Sequence, residues 1–199
     1  MIQITTLNGQ IRRGEKSAEK LYELVKQEDI HIIVEIGTWK GMGSTKCILD
    51  GIMDSRKKNY EVFSLECNKL FHEEAKINLG WLPPNFHLLN GSIFDAEKLM
   101  EIRNDPNVHL PWLEEDISGI KNSRSVINEL PNKIDLLIID GGEYSGEIEF
   151  NILKDRTTYF YFDDISSYKN KNNANYVRTN DNFKVLYDDG AQTLICKKI

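Results

Sequence analysis

The sequence has few cysteines, prolines and histidines, and no long apolar run. Cys47, Cys67 and Cys196 are odd in number and lack metal-ligand spacing. That argues against a disulfide framework and fits packed, reduced thiols in a cytoplasmic protein. His31, His72, His87 and His109 lie on separate segments with no shared motif, so they read as surface or capping residues. Nothing approaches the roughly 18–20 apolar residues of a membrane span, and the polar N-terminus carries no secretory core, so no membrane partner is expected. Basic residues are also in the minority, 25 against 31 acids for a net charge of −6. No segment supplies the clustered positive surface that neutralises phosphates, so a nucleic-acid partner is not expected and a small-molecule or glycan partner is.

What is present suits one α/β domain spanning residues 1–199, with 40% hydrophobic residues for a core. After a short polar lead, Ala18, Leu21, Tyr22 and Val25 recur at helical spacing within 15–28. Arg12 and Arg13, just ahead of it, could close over a bound ligand but read more readily as a solvated pair, and no site role is assigned to them. Strands are expected at Ile32–Ile36, Glu61–Glu66, 86–89, Ile134–Ile139, 158–162, 183–187 and 193–196. Between them helical patterns run over 44–54, 70–79, 96–103, 123–130 and 145–154, with Gly51 a weak point late in the second helix. Pro106, Pro111 and Trp112 interrupt any regular pattern over 104–118, which reads as an irregular insertion flanking a site. The asparagine-rich 169–182 stretch is compatible with a loop or a poor helix. A turn at Asp188, Asp189 and Gly190 makes the last two strands an antiparallel hairpin.

Two features point to a ligand site. The apolar run Ile32–Ile36 breaks into Gly37, Gly41 and Gly43 before a helix, a junction where backbone can approach a ligand and helix N–H groups converge. Acids close four strands in turn, at Glu35, Glu66, Asp140 and the Asp163–Asp164 pair. In a parallel sheet those ends open on one crevice. Clustered carboxylates call for hydroxyl donors, ammonium groups or a cation.

With these residues in place, the chain resembles the class I S-adenosylmethionine-dependent methyltransferases. Val34 to Thr38 and Gly43 to Thr45 resemble the family's first motif, Leu65–Glu66 its ribose-binding acid, and Ile139 to Gly142 with Phe162 to Asp164 its fourth and fifth strand ends. The resemblance implies a three-layer α/β/α Rossmann-like sandwich with a mostly parallel seven-stranded sheet of order 3-2-1-4-5-7-6, strand 7 antiparallel. Within the family the chain is similar to the small-molecule and sugar O-methyltransferases, the macrocin O-methyltransferase-like group. There a strand-four Asp-Gly-Asp segment and a strand-five Asp-Asp pair can hold a divalent cation. Gly142 and Glu143 depart from that pattern.

By position, the resemblance implies S-adenosylmethionine as cofactor, held by Glu35, Gly37, Thr38, Gly41, Glu66, Ser92, Ile93 and Asp140. Glu35 and Gly37 would approach the methionine end, Glu66 would accept the ribose hydroxyls, and Ser92 and Ile93 would flank the adenine. Asp140, Glu143, Asp163 and Asp164 are the candidate catalytic carboxylates, and Asp140, Asp163 and Asp164 the candidate ligands of Mg2+ or another divalent cation. Plain alternatives stand beside these roles: Glu66 as a solvated strand-end acid, the aspartates as turn caps, Trp39 as packing. Two other functions compete with O-methylation of a sugar, glycan or small hydroxylated metabolite. One is a non-catalytic cofactor-binding protein of the same fold; the other is a nicotinamide-dependent oxidoreductase, which the missing Gly-x-Gly-x-x-Gly spacing opposes.

Overall fold

The computed structural model describes residues 11–27 and 29–199; the polar lead and the expected helix end at Glu28 lie outside the described residues. Seven strands form one sheet in the order β3-β2-β1-β4-β5-β7-β6. They are β1 (Ile32–Ile36), β2 (Glu61–Glu66), β3 (Phe86–Asn90), β4 (Ile134–Ile139), β5 (Thr157–Asp163), β6 (Phe183–Asp188) and β7 (Thr193–Lys198). All pairings from β3 through β5 are parallel, and β7 runs antiparallel to both β5 and β6. This is the expected sheet order.

All six residues of β4 are buried, Asp135 among them, as a run of five apolar residues in six requires of a central strand. From Leu136 onward its side chains divide by parity: Leu137 and Ile139 join one core, Leu136 and Ile138 the other. The second core is closed by α1 (Lys16–Val25) and α2 (Ser44–Ser55), with Leu79 of α3 (Lys69–Leu79) packed against it. The first is closed by α4 (Glu97–Met100), α5 (Leu110–Lys121), α6 (Gly146–Leu153) and α7 (Lys171–Thr179). Three layers result. Gly51 is not a flaw in α2: a β-carbon there would stand 2.9 Å from Val25 Cγ1 and 3.1 Å from the Tyr22 carbonyl, so its bareness lets α1 pack close.

Local chemistry explains several boundaries. Asn68 caps α3 by accepting from the amides of Leu70 and Phe71. Asp135, on β4, accepts the backbone N–H groups of His31 and Ile32 at 2.9 Å each and so anchors the start of β1. In the final hairpin, Asp189 Oδ1 accepts from the amides of Ala191, Gln192 and Thr193, while Gly190 takes φ +78°.

Three sequence expectations need correction, and the open choice over 169–182 is decided. Residues 104–118 are not irregular throughout, because α5 starts at Leu110 with Pro111 in its first turn, where the missing N–H costs no helical bond. The 169–182 stretch contains α7. The helix expected over 96–103 is the single turn α4, followed by turns, and that over 123–130 shrinks to a 3-10 turn at Ile127–Glu129.

Candidate functional site

The C-terminal ends of β1, β2 and β4 open into a cavity of about 610 Å3, a size suited to a nucleoside-sized ligand. The turn after β1 builds one wall. Gly37 takes φ +100°, and a β-carbon on it would lie 2.0 Å from the Asp140 carbonyl oxygen, so only glycine lets the β1 and β4 ends meet there. Trp39 follows with φ +47°, a strained setting for a bulky residue. Its ring lies edge-on to Phe71, and both line the cavity. Packing and cavity wall are therefore one role. Gly43, at the start of α2, has no side chain to cap the helix, and it lines the cavity with Ser44; a helix start of this kind favours an anionic group.

Glu66 ends β2 inside the cavity. Its Oε2 accepts the Trp39 amide at 2.7 Å and its Oε1 the Asn68 amide at 2.8 Å. Each oxygen keeps a free lone pair, and the two backbone donors fix the carboxylate plane. Burial pushes its pKa up to about 7 despite those donors.

Glu35 lies elsewhere. It is fully buried and does not line the cavity; its Oε2 accepts the hydroxyl of Thr45 at 2.8 Å and that of Ser64, which in turn meets Thr38 Oγ1. The network ties β1, β2 and the first turn of α2 together, and Thr38 carries it to the cavity wall. Burial raises Glu35 to about 7. Gly41 is also outside the lining; a β-carbon on it would stand 2.8 Å from Leu79 Cγ. Ser92 and Ile93 are buried outside it as well: Ser92 bonds the Phe94 carbonyl within its own turn, and Ile93 joins the core.

The strand-four and strand-five carboxylates do come together, around a residue that the sequence left without a role. Lys169 Nζ stands 3.2 Å from Asp140 Oδ1 and 3.0 Å from Asp164 Oδ2, with its side chain only 9% exposed. Burial pulls the ammonium's pKa down, but Asp140, Asp164 and Asp163 outweigh it and hold the lysine charged. Asp164 takes φ +52° at the end of β5 and also accepts from Gln192 Nε2 at 2.7 Å. Asp163 is 1% exposed and points away from the cavity, since adjacent strand residues face opposite ways. Burial, then the charges of Asp140 and Asp164, push it up to about 9, and it shares a hydrogen bond with Asp140.

The far wall comes from α5 and the segment after β4. Asp116 and Gly119 face Gly141, Gly142 and Glu143. Asp116 Oδ2 accepts the Tyr144 amide at 3.0 Å, and burial lifts its pKa to about 6. Glu143 Oε1 accepts the Tyr168 amide at 3.2 Å. Asp116 escaped the sequence reading, although one signal was present. It shares the buried helix face of Leu113, Ile117 and Ile120, where an acid is out of place unless it serves a site. Arg12 and Cys67, read as solvated and as packing, also line the cavity.

The metal assignment does not fit this arrangement. Two of its three carboxylates already hold a fixed ammonium, and the third, Asp163, is buried outside the cavity lining. Among the described residues no group of three or more His, Cys, Asp or Glu side chains could hold a metal ion. The cavity's polar features suit a ligand with vicinal hydroxyls at Glu66 and an anionic end at the bare Gly37 turn and α2 start.

No family model matches the chain, and no curated protein matches it in sequence. Solved structures share its fold. An O-methyltransferase from Bacillus cereus in complex with SAH gives a TM-score of 0.60 at 14% identity, over 92% of this chain and 80% of that one. A methyltransferase from Geobacter sulfurreducens gives 0.60 at 12% identity, over 92% and 79%. At such identities the likeness is one of architecture: the chain has the Rossmann-like fold of these methyltransferases.

Proposed function

We propose that the chain is an S-adenosylmethionine-dependent methyltransferase acting on a hydroxyl of a sugar, glycan or small hydroxylated metabolite. The observation that carries this reading is Glu66, held by two backbone N–H groups with a lone pair free on each oxygen, at the wall of a nucleoside-sized cavity. That geometry suits a vicinal diol. When bound, the cofactor supplies a methyl group on a sulfonium, open to in-line attack. The remaining work falls to the protein: it must align the acceptor, exclude water and take a hydroxyl proton.

Asp140, Asp163 and Asp164 are poorly placed to take that proton, being ion-paired or already protonated. Asp116 and Glu143 face the cavity, and Asp116, lifted to about 6 by burial, has the basicity a neutral-pH base requires. Calorimetry with S-adenosylmethionine, SAH and NAD tests the cofactor. Binding of NAD alone would overturn this reading. Turnover against a panel of sugars and phenols separates an enzyme from a non-catalytic binding protein of the same fold.

A further inference from the structure

Among the described residues Lys169 is the cation placed between the ends of β4 and β5, and the fold holds it there from several sides. Its own N–H donates to Ser167 Oγ, and the Ser167 hydroxyl and amide both return to the Asp164 carbonyl. The next residue, Asn170, is fully buried; its Nδ2 spans the two strand ends by donating to the carbonyls of Ile139 at 3.0 Å and Asp163 at 2.6 Å. From the other side α6 closes on the same backbone. A β-carbon on Gly146 would stand 2.2 Å from the Lys169 carbonyl oxygen, so glycine is required for that approach. A surface lysine swinging into a crevice has no such supports.

We infer that Lys169 is a resident cation which occupies the place of a divalent metal between Asp140 and Asp164, so that this site works without one. An ammonium at hydrogen-bond distance from both carboxylates fills the volume in which a shared Mg2+ or Mn2+ would sit. It satisfies the same charge demand through donors instead of coordinate bonds. A divalent ion could enter only by expelling this buried, charged side chain from its partners or by crowding in beside it as a second cation against the same carboxylates. The cost of such an expulsion, with a charge left unpaired, is large. The inference concerns the site proposed above but does not depend on methyl transfer, because its readout is metal binding by the cofactor-free protein.

The test is Mn2+ titration of the full chain, followed by electron paramagnetic resonance, for the wild type, Lys169→Ala and Lys169→Met, with folding checked by circular dichroism. Methionine keeps the packing of the stem if alanine proves too disruptive. The wild type is expected to leave Mn2+ free at millimolar concentration. A folded Lys169 variant is expected to gain a site at least about tenfold tighter, which is lost again when Asp140→Asn is added. A wild type that binds Mn2+ as well as its Lys169 variants would overturn the inference. So would folded Lys169 variants that gain no Mn2+, or a gained site indifferent to Asp140→Asn. Failure of S-adenosylmethionine to bind would leave these outcomes unchanged, so the two readings fail separately.

Discussion

A β-carbon on Gly37 would stand 2.0 Å from the carbonyl oxygen of Asp140 and 2.8 Å from the amide nitrogen of Gly141. Two strand ends thus touch backbone to backbone, and the cavity floor depends on that contact. Gly37→Ala adds both this overlap and a left-handed backbone setting. It is expected to cost at least about 1–3 kcal/mol, read as a lower urea midpoint, together with loss of cofactor binding. An unchanged midpoint would show that the two strands do not approach this closely.

Glu66→Ala removes the acceptor proposed for the ribose. S-adenosylmethionine affinity should fall by about 1.5–3 kcal/mol, the range for a hydrogen bond to a charged group, in a protein that still folds. Calorimetry on the folded variant decides it, and unaltered affinity would reject the role.

Buried acids make stability depend on pH in an unusual direction. Glu35, Glu66 and Glu149 are each raised by burial from 4.5 to about 7, and Asp163 from 3.8 to about 9. Between pH 4.5 and 7 the native state keeps protons on these glutamates that the unfolded chain has released, so stability falls as pH rises through that window. For Asp163 the fall continues to about pH 9. The melting temperature of the cofactor-free protein should therefore be higher at pH 5.5 than at pH 8. Cofactor affinity should run the opposite way, because Glu66 accepts ribose donors best when ionised, above about 7. A melting temperature that climbs from pH 5.5 to 8 would contradict the buried-acid account.

Asn170→Ala strips the donor from the carbonyls of Ile139 and Asp163 and leaves both buried. The expected loss is about 2–4 kcal/mol, measured by urea unfolding. Because Asn170 also fixes the segment that carries Lys169, this variant should begin to bind Mn2+ in the titration described above. Wild-type stability would mean that the two strand ends are held by something else.

The sequence by itself determined the sheet. Strand parity, the largely apolar run of Ile134–Ile139 and the turn chemistry of Asp189 and Gly190 are local signals, and each was legible because its physics acts over a few residues. Local signals also misled. Pro111 was read as a breaker, although in the first turn of a helix it breaks nothing. Only the tertiary structure decided where the acids point. Glu35 and Asp163 turn into the core while Glu66, Asp140 and Asp164 face the cavity, because side-chain direction at a strand end follows from register and twist. Only the tertiary structure, too, brought Lys169 between Asp140 and Asp164, 29 and 5 residues away. A lysine in a polar, asparagine-rich stretch carries no mark of that placement, since the carboxylates that hold it and the helix start that clamps it meet only when the chain has folded.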